Sequence, residues 1–421
     1  MAALWLGCTP PASGPTSAVL LCLDTLRADH LGSYGYPFET SPSIDALAAE
    51  SVVFERAIAQ SATTLWSHRA LFQSRLVSRT AADAPVLAEA LAAAGLRTAA
   101  FTGGGYVSAE FGFGRGFERY EEDRGGLAVS LPKAEAWLRE RAGEPFFLFL
   151  HTYDTHLPYD PPPPFDTMYG DAYEGPVTGG SSRSLLRQQR GLDGADRGAA
   201  SPLTAADRAR LVALYDGGIR YADDWVGELR GMLERLGLAE TTALVLYSDH
   251  GEEFRDHGSW IHSHSVYDEL VRVPLIWHEP GLAPHRVSSQ VRLLDVAPTL
   301  LETLGVRAAA GFAGQSLVPL LAGGRGDHRP AVSEMGRHES LAVYPWKLIR
   351  GVGAPRLFDL SSDAREQRNL AAREPDRVAE LSRALELAIG SGAEDRSVDE
   401  IERVGVDPAL TERLRELGYI E

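Results

Sequence analysis

Residues 241–264 read TTALVLYSDHGEEFRDHGSWIHSH, and the fold turns on how this stretch is taken. The β-branched and apolar run from Thr242 to Tyr247 predicts a buried strand. It stops at Ser248-Asp249-His250-Gly251, where a carboxylate and an imidazole stand side by side, ligand types that divalent cations take. Asp256, His257, His262 and His264 follow, so four of the chain's 12 histidines, counting His250, fall in this one stretch. A plain strand-to-loop junction, with Asp capping the turn and Gly supplying a positive φ, accounts for the first four residues. It leaves the histidines unexplained.

A chain of 421 residues holds two to three domains by length, or one large α/β domain with an addition, and 44% hydrophobic content fills a full core. The net charge of -17 excludes nucleic acid and an anionic membrane surface as main partners. Lys133 and Lys347 are the only lysines; every other basic residue is arginine. Cys22, inside an apolar run, reads as a small buried hydrophobe. Cys8 ends Leu4-Trp5-Leu6-Gly7-Cys8 and precedes Thr-Pro-Pro-Ala-Ser-Gly-Pro, which looks like a bacterial lipoprotein signal and tether over residues 1–15. The run is short, carries no positive charge and includes Trp5. The expectation is an exported, periplasmic or lipid-anchored protein held through Cys8; the alternative is a soluble cytoplasmic chain with a disordered start. No segment is long and apolar enough to span a bilayer.

Working outward, Ser17–Asp24 (SAVLLCLD) is an apolar run that breaks on an aspartate, as a central parallel strand does where its carboxyl end meets a site. Asp24 is therefore a metal-ligand candidate, whereas Asp29 and His30 suit loop fixing. Ser43 caps a helix over residues 44–50, and a strand starts at Val52. Thr63, Thr64 and Ser67 open an apolar-periodic segment, which reads as an N-cap and first turn, or as hydroxyls placed where a helix N-terminus draws an anionic ester. A helix over 84–94 leads to a strand over 98–101. Beyond it, Thr102 and Gly103–Gly105, Gly104 in particular, offer backbone to a bound anion or make a plain turn. The strand Phe146–Leu150 ends in a polar cluster from His151 to Asp160. Residues 161–201, rich in Pro, Gly, Ser and Arg, predict a loop over the site. Residues 204–236 predict one or two amphipathic helices, 273–278 a buried strand and 296–304 a helix. Strands over 331–334, 341–350 and 355–360, with a helix over 374–389, predict a small subdomain. The expected fold is α/β: a large, mostly parallel central sheet between helices over residues 16–325, and a C-terminal α+β subdomain with antiparallel strands over 326–421.

VLLCLDTLRADHLGSYGY, TTLWSHRALFQS, HTYDTHLPYDPP, YSDHGEEFRDHG, HSHSVYDELVRVPLIWHEPG and LLDVAPTLLETLGV follow one another in this chain, and WKLIR and RLFDLSSDAREQRNL close the series. In that order they resemble the sulfatase family of the alkaline-phosphatase superfamily. The resemblance implies a metal-dependent hydrolase of sulfate or phosphate esters. One divalent cation (calcium, manganese or zinc) would be held by Asp24, Thr64, Asp249 and His250, and Thr64 would be the nucleophile. His156 and His264 would stabilise charge or protonate the leaving oxygen, His68 would orient Thr64, and Thr102, Gly104 and His262 would touch substrate. A second metal, using some of Asp154, His156 and His264, is disfavoured, because the Asp-x-x-x-His spacing common at such sites is absent. Thr64 to His68 stands where the family has Cys/Ser-x-Pro-Ser-Arg, so formylglycine is not expected. Asp24-Thr25 replaces Asp-Asp, Asp249-His250 replaces Asp-Asn as in phosphonate and phosphodiester hydrolases, and Phe101–Tyr106 lacks the family's lysine. The implied partner is a small anionic ester or a sulfated or phosphorylated glycan, with no obligate protein partner. Two rival readings are a phospho-headgroup transferase and a catalytically silent protein that binds anionic glycans.

Overall fold

The structure, a computed structural model, describes residues 14–170, 172–191, 202–308, 311–390 and 407–417. Of the signal and tether expected over residues 1–15, residues 1–13, with Cys8 and the lipid-anchor reading, lie outside the described residues. Strands β1 (Ser17–Leu23), β2 (Val52–Phe54), β3 (Arg97–Thr102), β4 (Arg119–Glu122), β5 (Phe146–Thr152), β6 (Thr242–Tyr247), β7 (Leu275–His278) and β8 (His285–Val287) form one sheet. Their order is β8-β2-β7-β6-β1-β5-β3-β4. β7 alone runs against its neighbours, so the sheet is mostly parallel. β1 lies at the centre, paired in parallel with β5 and β6.

Burial on both faces explains why these strands read as continuous apolar runs. Ala18, Leu20 and Cys22 pack on one side, under α2 (Thr64–Gln73), α3 (Leu87–Ala93) and α8 (Val296–Thr303); Val19, Leu21 and Leu23 pack on the other, under α1 (Pro42–Ala49), α4 (Leu127–Glu140) and α6 (Ala205–Arg235). Residues 204–236 give one helix of 31 residues, α6, opened by a Thr204–Asp207 capping box. The loop expected over 161–201 instead holds a helix, α5 (Gly179–Arg190), also opened by a capping box, between Thr178 and Ser181. Its composition hid it, because only Leu185 and Leu186 mark an apolar side.

The C-terminal sheet is antiparallel, β9 (Ala331–Met335), β10 (His338–Val343), β11 (Trp346–Arg350) and β12 (Arg356–Asp359). The single run expected over 341–350 is two strands with a turn between them. Helix α9 (Pro375–Ile389) covers this sheet through Leu381, Leu385 and Ile389. β9 is stitched to the main body where Ser333 Oγ donates to Ala59 O and Glu334 N to Gln60 O. The last described helix, α10 (Pro408–Leu417), leaves this subdomain and returns to the main body, where Leu410 and Leu414 join the larger core. Among the described residues no helix is long and apolar enough to cross a membrane.

Candidate active site

Two adjacent central strands end at the same level. β1 gives Asp24, and β6 is followed by Asp249 and His250. Helix α2 begins at Thr64, after Thr63 in extended conformation, and Ser67 Oγ donates to Asp249 O at 2.6 Å, which ties the helix to the strand end. The four residues singled out by sequence therefore meet: Thr64 Oγ1 lies 3.1 Å from Asp24 Oδ2 and 3.3 Å from His250 Nε2. His250 Nε2 is 3.5 Å from Asp249 Oδ2 and 3.8 Å from Asp24 Oδ1. All four are fully buried. Thr25, beside Asp24, turns to Thr155 O instead.

Burial and the facing Asp249 push the Asp24 carboxyl well above the usual carboxylate range. Burial pushes Asp249 upward too, but the imidazoles of His250, His68 and His151 outweigh it and hold this carboxyl below its ordinary value. His250 is raised, because Asp249 and Asp24 outweigh the burial that opposes its charge. Asp24 Oδ1 and Asp249 Oδ2 are buried without a hydrogen bond, and Asp24, Asp249 and His250 offer ligand atoms within 4.8 Å of one another. Two orphaned carboxylate oxygens and an imidazole fit a divalent cation.

Around this centre the outcomes differ. His68 reaches Thr64 through the backbone, donating from Nδ1 to Thr64 O at 2.8 Å, and not through the hydroxyl. His262 sits with its ring centroid 4.5 Å from His250 and 5.0 Å from His156. His264, expected beside His156, is turned to Glu253 Oε2 at 2.7 Å, so His262 supplies the ring next to His250. Asp154 accepts from Leu127 N and Thr152 Oγ1 and so caps α4. With His264 on Glu253 as well, Asp154, His156 and His264 do not gather into a ligand set among the described residues. Thr102 and Gly104 also receive a packing explanation. Thr102 is buried, its hydroxyl accepts from Gly104 N, and Gly104 O accepts from Tyr153 Oη. A Cβ on Gly103 would lie 2.4 Å from the Tyr153 ring, and one on Gly105 2.4 Å from Leu417 of α10. The glycines let Tyr153 and the terminal helix close in, where an anion was expected.

The family model described as Sulfatase matches residues 16–306, well over half of the chain. The chain belongs to the sulfatase family. A second model, the C-terminal part of N-sulphoglucosamine sulphohydrolase, matches residues 256–390 of this sulfatase-family chain. Arylsulfatase K of Xenopus laevis is 29% identical over 303 residues, 61% of this chain and 54% of that protein. The multifunctional alkaline phosphatase superfamily protein PehA of Trinickia caryophylli is 30% identical over 210 residues, 46% of this chain and 40% of PehA. The match thus spans about half or less of the curated relatives' length. The phosphonate monoester hydrolase of Agrobacterium radiobacter superposes with a TM-score of 0.74 at 19% identity, over 89% of this chain and 95% of that one. A protein solved with its substrate D-glucosamine-2-N,6-O-disulfate superposes equally well, at 0.74 and 19%, over 91% and 99%. At these identities the superpositions establish the fold.

Several residues of this sulfatase-family site escaped the sequence reading. Glu252, fully buried, holds His262 Nδ1 at 2.9 Å and accepts from Tyr159 Oη at 2.6 Å. His151 Nε2 lies 3.0 Å from Asp24 Oδ2. Arg190 of α5 donates to His262 O at 2.8 Å. Arg413 of α10 donates to Gly103 O and lies over the Tyr153 ring at 5.5 Å. The Asp-His-Gly-Glu run pointed toward Glu252; for Arg413, hundreds of residues from its contacts, no local signal exists.

Proposed function

We propose that this chain hydrolyses small anionic esters of sulfate, phosphate or phosphonate with Thr64 as nucleophile, on a divalent cation held by Asp24, Asp249, His250 and the Thr64 oxygen. The observation that carries this is the convergence of Thr64 Oγ1 on Asp24 and His250 beside two orphaned carboxylate oxygens. A bound divalent cation supplies a lowered hydroxyl pKa and a polarised ester oxygen. Asp24 Oδ2 accepts the hydroxyl hydrogen bond and aims the Thr64 lone pair. Attack forms the Thr64–O bond to sulfur or phosphorus and releases the alcohol or phenol, and water then cleaves the covalent ester. With Nδ1 held by Leu157 O at 2.6 Å and by Glu252 Oε1 at 2.9 Å respectively, His156 and His262 stabilise the developing oxyanion through Nε2 once each takes up a proton alongside the anionic substrate. Thr64 is fully buried, and Arg190 of α5 holds His262 O beside this centre at 2.8 Å.

Support for hydrolysis over silent binding lies in the intact buried polar cluster, which costs stability and serves no packing purpose. The relatives' names, arylsulfatase and phosphonate monoester hydrolase, supply the ester classes to be tested. The experiment pairs the protein with calcium, manganese or zinc, offers aryl sulfate, aryl phosphate, aryl phosphodiester and phosphonate monoester, and runs Thr64→Ala alongside. Metal-dependent turnover lost in the variant supports the reading and names the ester. Glycan binding with no ester cleavage in any arm refutes it.

A further inference from the structure

Beneath the carboxylates lies a group of side chains that the proposed reaction does not use. Cys22 is in register with His151 on one neighbouring strand and with Tyr247 on the other, so the three rise on the same face of the sheet. His68 comes down on them from α2, its ring centroid 5.2 Å from that of His151 and 6.1 Å from that of Tyr247. All four are at most 1% exposed. One donor atom each from Cys22, His68 and His151 lies within 4.8 Å of the others.

His68 Nε2 and His151 Nδ1 are buried without a hydrogen bond, next to the orphaned oxygens of Asp24 and Asp249, and the Tyr247 hydroxyl has the Cys22 thiol for its neighbour. An unpartnered polar atom in a dry interior destabilises the fold, so their concentration in one place calls for a common partner. The tautomers follow from the other nitrogens. His68 Nδ1 must carry a hydrogen to bond Thr64 O, and His151 Nε2 donates to Asp24 Oδ2. In neutral rings this leaves a lone pair on each orphaned nitrogen, the arrangement of metal-bound histidines whose far N–H is held by an oxygen. A thiol and two such imidazoles make a donor set for zinc-class cations.

We infer that Cys22, His68 and His151 form a second metal site, for a zinc-class cation, directly beneath the first. The carboxylates would stand between the two: Asp249 Oδ1 lies 3.9 Å from Cys22 Sγ while its Oδ2 is 3.5 Å from both His68 Nδ1 and His250 Nε2. On binding, the Cys22 S–H bond breaks, its proton leaves to solvent and a sulfur–metal bond forms, with no change of oxidation state. This inference deepens the metal reading above and rests on Asp24 and Asp249 being ligands there.

The test titrates chelator-stripped full-length protein with cobalt(II), following the near-ultraviolet thiolate-to-cobalt charge-transfer band and the metal count by elemental analysis. The expected result is two equivalents and a band. Cys22→Ser removes the band and lowers the count to one, while Cys8→Ser, at the other of the two cysteines, changes neither. X-ray absorption of the zinc-loaded unmutated protein, expected to show a sulfur neighbour, settles the matter should Cys22→Ser fail to fold. One equivalent without a sulfur signal, or a band that survives Cys22→Ser, overturns this inference and leaves the first site standing. No uptake of any metal overturns both.

Discussion

Replacing Lys347 by Met should destabilise the protein strongly, and more so as pH rises. Lys347 is 1% exposed on β11, with its Nζ 2.6 Å from Asp268 Oδ1 and 3.0 Å from Glu366 Oε1. Asp268 opens the short helix α7 (Asp268–Val271), and Leu270 O of that helix accepts from Gly251 N, the residue after His250. The ammonium thus pins the C-terminal sheet to the segment that shapes the site. Removing it leaves a buried carboxylate without its cation, a change that costs about 3–5 kcal/mol. Burial already pushes the Glu366 carboxyl up to about 7 with Lys347 in place. A carboxyl whose folded pKa exceeds its ordinary value stabilises the fold below that ordinary value and loses this as pH climbs through the folded one. Without the ammonium the loss is larger, at about 1.4 kcal/mol per pH unit of further shift. The Lys347→Met deficit should therefore be small near pH 5 and grow above about pH 7 by up to about 1.4 kcal/mol per pH unit, and adding Glu366→Gln should recover much of it. Urea unfolding followed by tryptophan fluorescence, with Trp346 adjacent, reads both. A deficit under about 1 kcal/mol, the size of an exposed ion pair, or one that does not change with pH, refutes the reasoning.

Thr64→Ala should lower kcat by at least about a thousandfold, and Thr64→Ser should retain part of it, since only an oxygen at that position can attack; single-turnover kinetics on the preferred ester decides this. Glu252→Gln, which loosens His262, should cost about 10–100-fold in kcat/KM with an unchanged circular dichroism spectrum, as lost supports of a site do. Chelation should remove activity and lower stability, and metal restored at a hundred times its Kd should return about 2.7 kcal/mol, visible as a calorimetric shift. Arg413→Ala, which removes a guanidinium from beside Tyr153, should raise KM more than it lowers kcat, measured on a charged ester series.

The strand ends were legible because Asp24 and Asp249 interrupt runs that are otherwise apolar on both faces, and a charge there needs a purpose. Thr64 was legible as the opening of a helix. Which of the alternating histidines would face the centre was not: His262 and His264 sit in a loop whose path is decided by Glu252 and Glu253, each taking one ring. Cys22 was read correctly as buried, but its cross-strand neighbours His151 and Tyr247 are set by register, which one strand's sequence does not carry. Gly103–Gly105 looked like a cradle for an anion because the partners that need the space, Tyr153 and Leu417, are remote in the chain. α5 was missed because its capping box outweighs a composition typical of loops.

The position of β1 has a consequence for how the molecule is made. Its flanking partners begin at Phe146 and Thr242, so β1 waits for about a third of the polypeptide before one side is covered and for more than half before both are. Such distant pairing slows folding, and both open edges of an apolar strand invite association with other nascent chains in the meantime. A severed amino-terminal half would carry both Asp24 and Thr64 and still be an aggregation hazard without a pocket, which makes split-protein or stepwise-refolding strategies on this scaffold unproductive.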